Sequence, residues 1–168
     1  MTFPGLEAEY TNATISPDGQ YRYDLVRIWG AGPLVLWVML NPSTADAADD
    51  DPTIRRCRAF SRNERAGGMV VVNLFAWRAT DPAELRTALD PVGPDNEATI
   101  RRWTTDPEVA HVVCAWGANT MVTPTAWGPV TQAAADAGHL PRCLGTTKHG
   151  APRHPLYVPS TQSLVRWP

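Results

Sequence analysis

The chain is nearly devoid of lysine: Lys148 is the only one among 168 residues, and arginine supplies the rest of the positive charge. A formal net charge of −2 and a pI near 6.0 give no global attraction to a phosphate backbone, so nucleic-acid binding would need a local basic face. Cysteine is also sparse. Cys57, Cys114 and Cys143 are odd in number, widely spaced and without a CxxC pair, which argues against a disulfide framework, a structural zinc site or a cysteine-held iron–sulfur cluster. They read as buried, inert thiols. No window approaches the roughly 18 apolar residues that span a bilayer, and the first residues, MTFPGLEAEY, lack a basic region followed by an apolar one. A cytoplasmic protein with no membrane partner is expected. GxxxxGK[ST], GxGxxG and GxSxG are all missing, which weighs against triphosphate, dinucleotide and hydrolase-elbow chemistry. No cofactor or metal is expected.

What is present suits one globular domain over 1–168, divided into an N-terminal hairpin extension (1–30) and an α/β core (31–168). Hydrophobic residues make up 43% of the chain, enough for a substantial core. The uncharged run Leu34 to Leu40 reads as a strand buried on both faces, and it stops at Asn41-Pro42-Ser43. MVVVNLF (69–75), 108–116 and 141–145 read as further strands. Between them, Asp51-Pro52 starts a helix to about Ala66 that Gly67-Gly68 ends, Asp81-Pro82 starts a short helix to Leu89, and Pro94-Asp95-Asn96 opens another. Residues 124–137 form a last helix before Gly138, and the chain after the fourth strand reads as irregular. The alternation predicts a three-layer α/β sandwich: a four-stranded, mostly parallel central sheet with helices on both faces, plus the hairpin built around Ser16-Pro17-Asp18-Gly19.

Parallel strands end on one side of a sheet, so polar residues at their carboxyl ends should converge on one cleft. Three candidates fit: Asn41, Asn73, and the loop from Thr146 to Pro155 that carries Lys148, Arg153 and His154. Pro42 biases Asn41 away from helical angles, and Pro155 holds His154 extended. Asn73 within an apolar strand costs about 1–3 kcal/mol unless its amide is paired, by a ligand or by a neighbouring backbone. His154 can donate to a developing anion or accept a proton near neutral pH. His149 is a weaker candidate, and His111 and His139 read as structural or solvent-facing. Asp46, Asp49, Asp50 and Asp51 read as a solvated loop and helix cap more readily than as a cation site. Arg55, Arg58, Arg62 and Arg65 share a helix face that either solvates the helix or tracks phosphates.

LNPSTADAADDDPTIRR, VVNLFAWRATDP, DPVGPDN, CAWG and LGTTKHGAPRHPLY run in order from residue 40 to 157. With them the chain resembles a bacterial and phage family of unknown function, the domain numbered 1643. More distantly, Asn41-Pro42, Asn73 and His154-Pro155 resemble, in order, three motif positions of the uracil-DNA glycosylase superfamily. That second resemblance implies a glycosylase-like fold in which Asn41 positions the attacking water, Asn73 reads a base edge and His154 stabilises the departing base. Leu40 and the sequence Leu156-Tyr157 depart from that superfamily's pattern.

The resulting expectation is a hydrolase of N-glycosidic bonds acting on a modified base, in DNA modification or repair or on a free nucleotide. Asn41 and His154 would be catalytic, and Pro42, Ser43, Asn73, Phe75, Trp77, Lys148 and Arg153 would bind substrate, with Phe75 or Trp77 stacking on the ring. The alternatives are a binding module that holds a nucleobase or nucleotide without catalysis, and a protein-interaction domain that uses Trp103, Trp127 and Trp167.

Overall fold

A computed structural model describes residues 8–43, 45 and 48–168. In chain order the elements are β1 (Tyr10–Ile15), β2 (Arg22–Ile28), β3 (Leu34–Met39), α1 (Pro52–Asn63), β4 (Gly68–Asn73), α2 (Asn96–Thr104), β5 (Val109–Cys114), α3 (Pro124–Asp136), β6 (Arg142–Cys143) and β7 (Val165–Arg166). Two 3₁₀ turns, Pro82–Arg86 and Pro155–Tyr157, complete the list. Among the described residues no helix is long and apolar enough to cross a membrane.

The expected four-stranded, mostly parallel sheet is corrected. One seven-stranded mixed sheet runs in the order β1-β2-β4-β3-β5-β6-β7. Three of its pairings are antiparallel (β1·β2, β2·β4, β6·β7) and three are parallel (β4·β3, β3·β5, β5·β6). Two stretches account for the difference. The hairpin is an integral edge of the sheet, because β2 pairs with β4 and is buried along its whole length. The stretch read as an irregular tail supplies β7 against β6.

The uncharged sequence of β3 follows from its central place. Successive side chains point to opposite faces of a strand, so Val35, Trp37 and Met39 pack with Ile54, Cys57 and Phe60 of α1. Leu36 and Val38 pack on the other side with Ile100 of α2 and Val130 and Ala134 of α3. All six β3 side chains are buried, at about 1.5–3 kcal/mol for each large apolar one. Trp37 is fully enclosed and keeps its polar edge satisfied, its Nε1 donating to Ser61 Oγ at 2.9 Å. The three cysteines are free and buried, and burial pushes the Cys57 and Cys114 thiols well up.

α1 begins where expected, with Asp51 accepting from the Ile54 amide at 2.8 Å, but it ends three residues early. Arg65 takes the left-handed turn at φ 58, a position usually given to glycine. Gly67 serves a different purpose. Its carbonyl accepts from the Trp29 and Gly30 amides, and its own amide donates to Pro33, so two backbones lie in contact there. A Cβ on Gly67 would sit 2.4 Å from the Gly30 carbonyl oxygen. Gly67→Ala is therefore expected to lower stability by about 2–3 kcal/mol, read as a lower urea midpoint at unchanged slope.

Candidate functional site

Met39 of β3 lies beside Asn73 of β4, and Val38 beside Cys114 of β5, in parallel register. The carboxyl ends of these strands therefore stop at one level, and a cavity of about 600 Å³ opens there. Asn41 and Ser43 reach it from beyond β3, Asn73 from β4, Trp116 from beyond β5, and Arg153 and His154 from the loop after β6. Arg22 comes from the start of β2, which runs antiparallel to β4, and Asp51 from the first turn of α1. The site thus draws on most of the sheet and on one helix start.

Asn41 is fixed through its amide nitrogen, which donates to the Ala79 carbonyl at 2.9 Å and to Pro42 at 3.1 Å. Its Oδ1 remains an acceptor. Ser43 gives its hydroxyl hydrogen to Asp51 Oδ2, while Asp51 Oδ1 caps the helix. His154 sits at the start of a 3₁₀ turn, where its Nδ1 accepts from the Leu156 amide at 3.3 Å. With Nδ1 an acceptor, the neutral ring carries its proton on Nε2. Burial holds the His154 pKa below the usual histidine value of 6.5, and the Asp51 charge opposes that shift. Gly117, at φ 73, packs against this histidine: a Cβ there would lie 3.4 Å from the His154 Cβ.

The cavity also gathers unsatisfied polar groups. Five buried side-chain atoms among the described residues lack a protein partner, and three of them, Arg22 Nε, Asn73 Oδ1 and Thr147 Oγ1, belong to residues that line this cavity. Most buried polar atoms in proteins are paired, so such a concentration marks a place prepared for something else. Arg22 and Asn73 are each 2% exposed. Burial lowers the Arg22 pKa to about 10 against the opposing pull of Asp51, so its guanidinium stays charged at neutral pH.

Of the residues named from sequence, Asn41, Ser43, Asn73, Arg153 and His154 line one cavity. Pro42, Phe75, Trp77 and Lys148 do not. Phe75 is a correction: it is buried in the core on the α2–α3 side of the sheet, because Asn73 and Phe75 lie on either side of the point where β4 ends and the backbone turns. Trp77 is another, packing edge-on against Tyr21 with ring centres 5.5 Å apart. The tryptophans considered as an interface are engaged internally. Trp103 Nε1 donates to the buried Asp24 at 2.8 Å, and Trp127 and Trp116 pack edge-on against Trp167. On the arginine face of α1, Arg58 pairs with Glu9 and Asp50, Arg58 and Arg62 cover Trp29, and Arg55 donates to the Asp50 carbonyl. Asp46 lies outside the described residues.

Sequence reasoning missed Arg22 and took Asp51 for a cap alone. A charged residue set between Tyr21 and Tyr23 at the opening of a strand was the available signal for Arg22. It pointed to an exposed edge only as long as the hairpin was taken for an appendage.

A family model described as "Protein of unknown function (DUF1643)" matches residues 22–156, well over half of the chain and every residue that lines the cavity except Tyr157. No curated protein and no solved structure matches.

The His154 ring should titrate with a midpoint below about 6.5 by NMR, since burial disfavours the imidazolium. Asp51→Asn, which keeps a capping side chain, should move that midpoint lower still by removing the charge that favours protonation. A wild-type midpoint above 6.5 would mean that burial does not control this histidine, and an upward movement in Asp51→Asn that the Asp51 charge does not favour its protonation.

Proposed function

We propose, for a chain that belongs to the DUF1643 family of proteins of unknown function, that this cavity takes up a nucleobase and hydrolyses the N-glycosidic bond that holds it. The observation that carries the reading is the meeting of Asn41, Asn73 and His154, from three separate segments, on one cavity, with the Asn73 amide oxygen buried and unpartnered. At about 600 Å³ the space is in the range of small-molecule sites. An amide presents one donor and one acceptor, which suits the edge of a hydrogen-bonding heterocycle.

The charges fit the reaction. As the bond from C1′ to the ring nitrogen breaks, the sugar carbon becomes electron-poor and the ring takes the electron pair; water oxygen then bonds to C1′ and its proton ends on the ring nitrogen. Asp51 supplies negative charge for the sugar side, and the His154 Nε2–H a donor for the ring side. Asn41, held by its nitrogen, offers Oδ1 to orient the water. Metal chemistry is not part of this scheme. Trp116 and Tyr157 replace Phe75 and Trp77 as the aromatic surfaces beside the ring.

One observation favours binding without turnover. Both Asp51 oxygens already accept hydrogen bonds, from Ser43 and from the Ile54 amide, which weakens this carboxylate as a base. Incubation with DNA containing uracil, hypoxanthine or hydroxymethylated bases, and with the free nucleosides, separates the two readings through release of base and abasic sites. Hydrolysis is expected on at least one substrate, with Asn41→Ala slower by about 100-fold. Wild type and Asn41→Ala equally inactive on all of them would end the catalytic reading. Saturable binding that Asn73→Ala weakens about tenfold would then support the binding module.

A further inference from the structure

Arg22 is a buried charged residue of the cavity whose hydrogen-bonding capacity is only partly used. Its guanidinium is 2% exposed, Nη1 donates to the Ala45 carbonyl at 2.6 Å, and Nε has no partner. No ion pair is formed by Arg22 among the described residues. Asp51 acts on it through space, but both Asp51 oxygens are bonded elsewhere. The contrast with Arg27 on the same strand is instructive, since that equally buried arginine is paired with Asp50 at 2.8 Å. A buried guanidinium has only donors to offer, so whatever completes it must be an acceptor, best one with negative charge. One strand away, the Asn73 Oδ1 has the opposite need, a donor.

We propose that Arg22 is the receptor for the ring oxygen on which a bound base accumulates charge, so that the cavity selects heterocycles with a carbonyl beside a ring N–H over their amino counterparts. The assignment rests on the nucleobase reading above and narrows it to a substrate class. The carbonyl accepts from Arg22, and the adjacent N–H donates to Asn73. When the bond from C1′ to the ring nitrogen breaks, its electron pair delocalises onto that carbonyl oxygen; water oxygen bonds to C1′, and its proton returns to the ring nitrogen. Exchange of the carbonyl for an amino group sets donor against donor at Arg22 and leaves its Nε buried without an acceptor. Sites built to satisfy such groups discriminate strongly against ligands that leave them unpaired.

The test is calorimetric binding to the wild-type protein of two pairs that differ by this exchange, hypoxanthine against adenine and uracil against cytosine. The oxo member of each pair is expected to bind at least about tenfold more tightly. Along a series of 5-substituted uracils of rising ring acidity, affinity should climb in wild type. It should climb less in Arg22→Gln, with Arg22→Lys between the two; folding of each variant is checked by circular dichroism. If the variants do not fold, the wild-type preference and slope decide alone. Equal affinity within both pairs, a flat acidity series or no binding of any base overturns the assignment. Oxo-selective binding with no base release leaves Arg22 in its role and removes hydrolysis, whereas base release without oxo preference does the reverse.

Discussion

The register of β3 between β4 and β5 sets Met39 beside Asn73 and Val38 beside Cys114, and because these chains run the same way, their ends stop together. Everything at the cavity is referred to that line. Beyond it the backbones leave the sheet still bonded to one another: the Leu74 and Phe75 amides donate to Met39 and Leu40, and the Ala115 amide to Val38. A shift of β3 by one residue would turn Trp37 and Met39 away from α1 and carry Asn41 off its partner, the Ala79 carbonyl. Burial on both faces of β3 opposes such a shift, so the core that stabilises the fold also sets the site's geometry.

The loops that carry the polar side chains are held almost as firmly. The Ala79 amide donates to Pro42, tying the segment after β4 to the segment after β3. On the opposite wall, the Gly117 amide donates to Pro152 and the Arg153 amide to Gly145, which folds the stretch before His154 against the tip of β5. Arg56 of α1 reaches the Pro155 and Val158 carbonyls and anchors the turn that follows. Side chains positioned by such a shell meet a ligand with little further loss of freedom.

Within that frame the electrostatics work against stability. A buried guanidinium at Arg22, a half-buried carboxylate at Asp51 and a neutral imidazole at His154 share one cavity. Taking an ion out of water costs several kcal/mol unless partners replace the lost hydration, and Arg22 has one. The same conditions strengthen any hydrogen bond a ligand makes there. Arg27, on the same strand and equally buried, is treated differently, since it is paired with Asp50.

Local patterning was enough to locate β3 and β4, the start of α1 at Asp51-Pro52, the embedded Asn73 and the proline-held Asn41 and His154, because each leaves a mark within a few residues: an uncharged run, a cap, a proline. The convergence of these three side chains also followed from the sequence, since parallel strands share an end. The sheet's full extent did not. A two-residue strand such as β7 has no periodicity to read, and a hairpin carries no sign of what it will pair with. Hence Phe75 and Trp77 looked available for stacking when β4 ends before them and turns their rings elsewhere. By itself, then, the sequence determined which side chains stand at strand ends. Only the tertiary structure decided that β2 runs antiparallel beside β4, which brings Arg22, some fifty residues from Asn73 in the chain, to the same cavity; that choice depends on long-range pairing that no local pattern encodes.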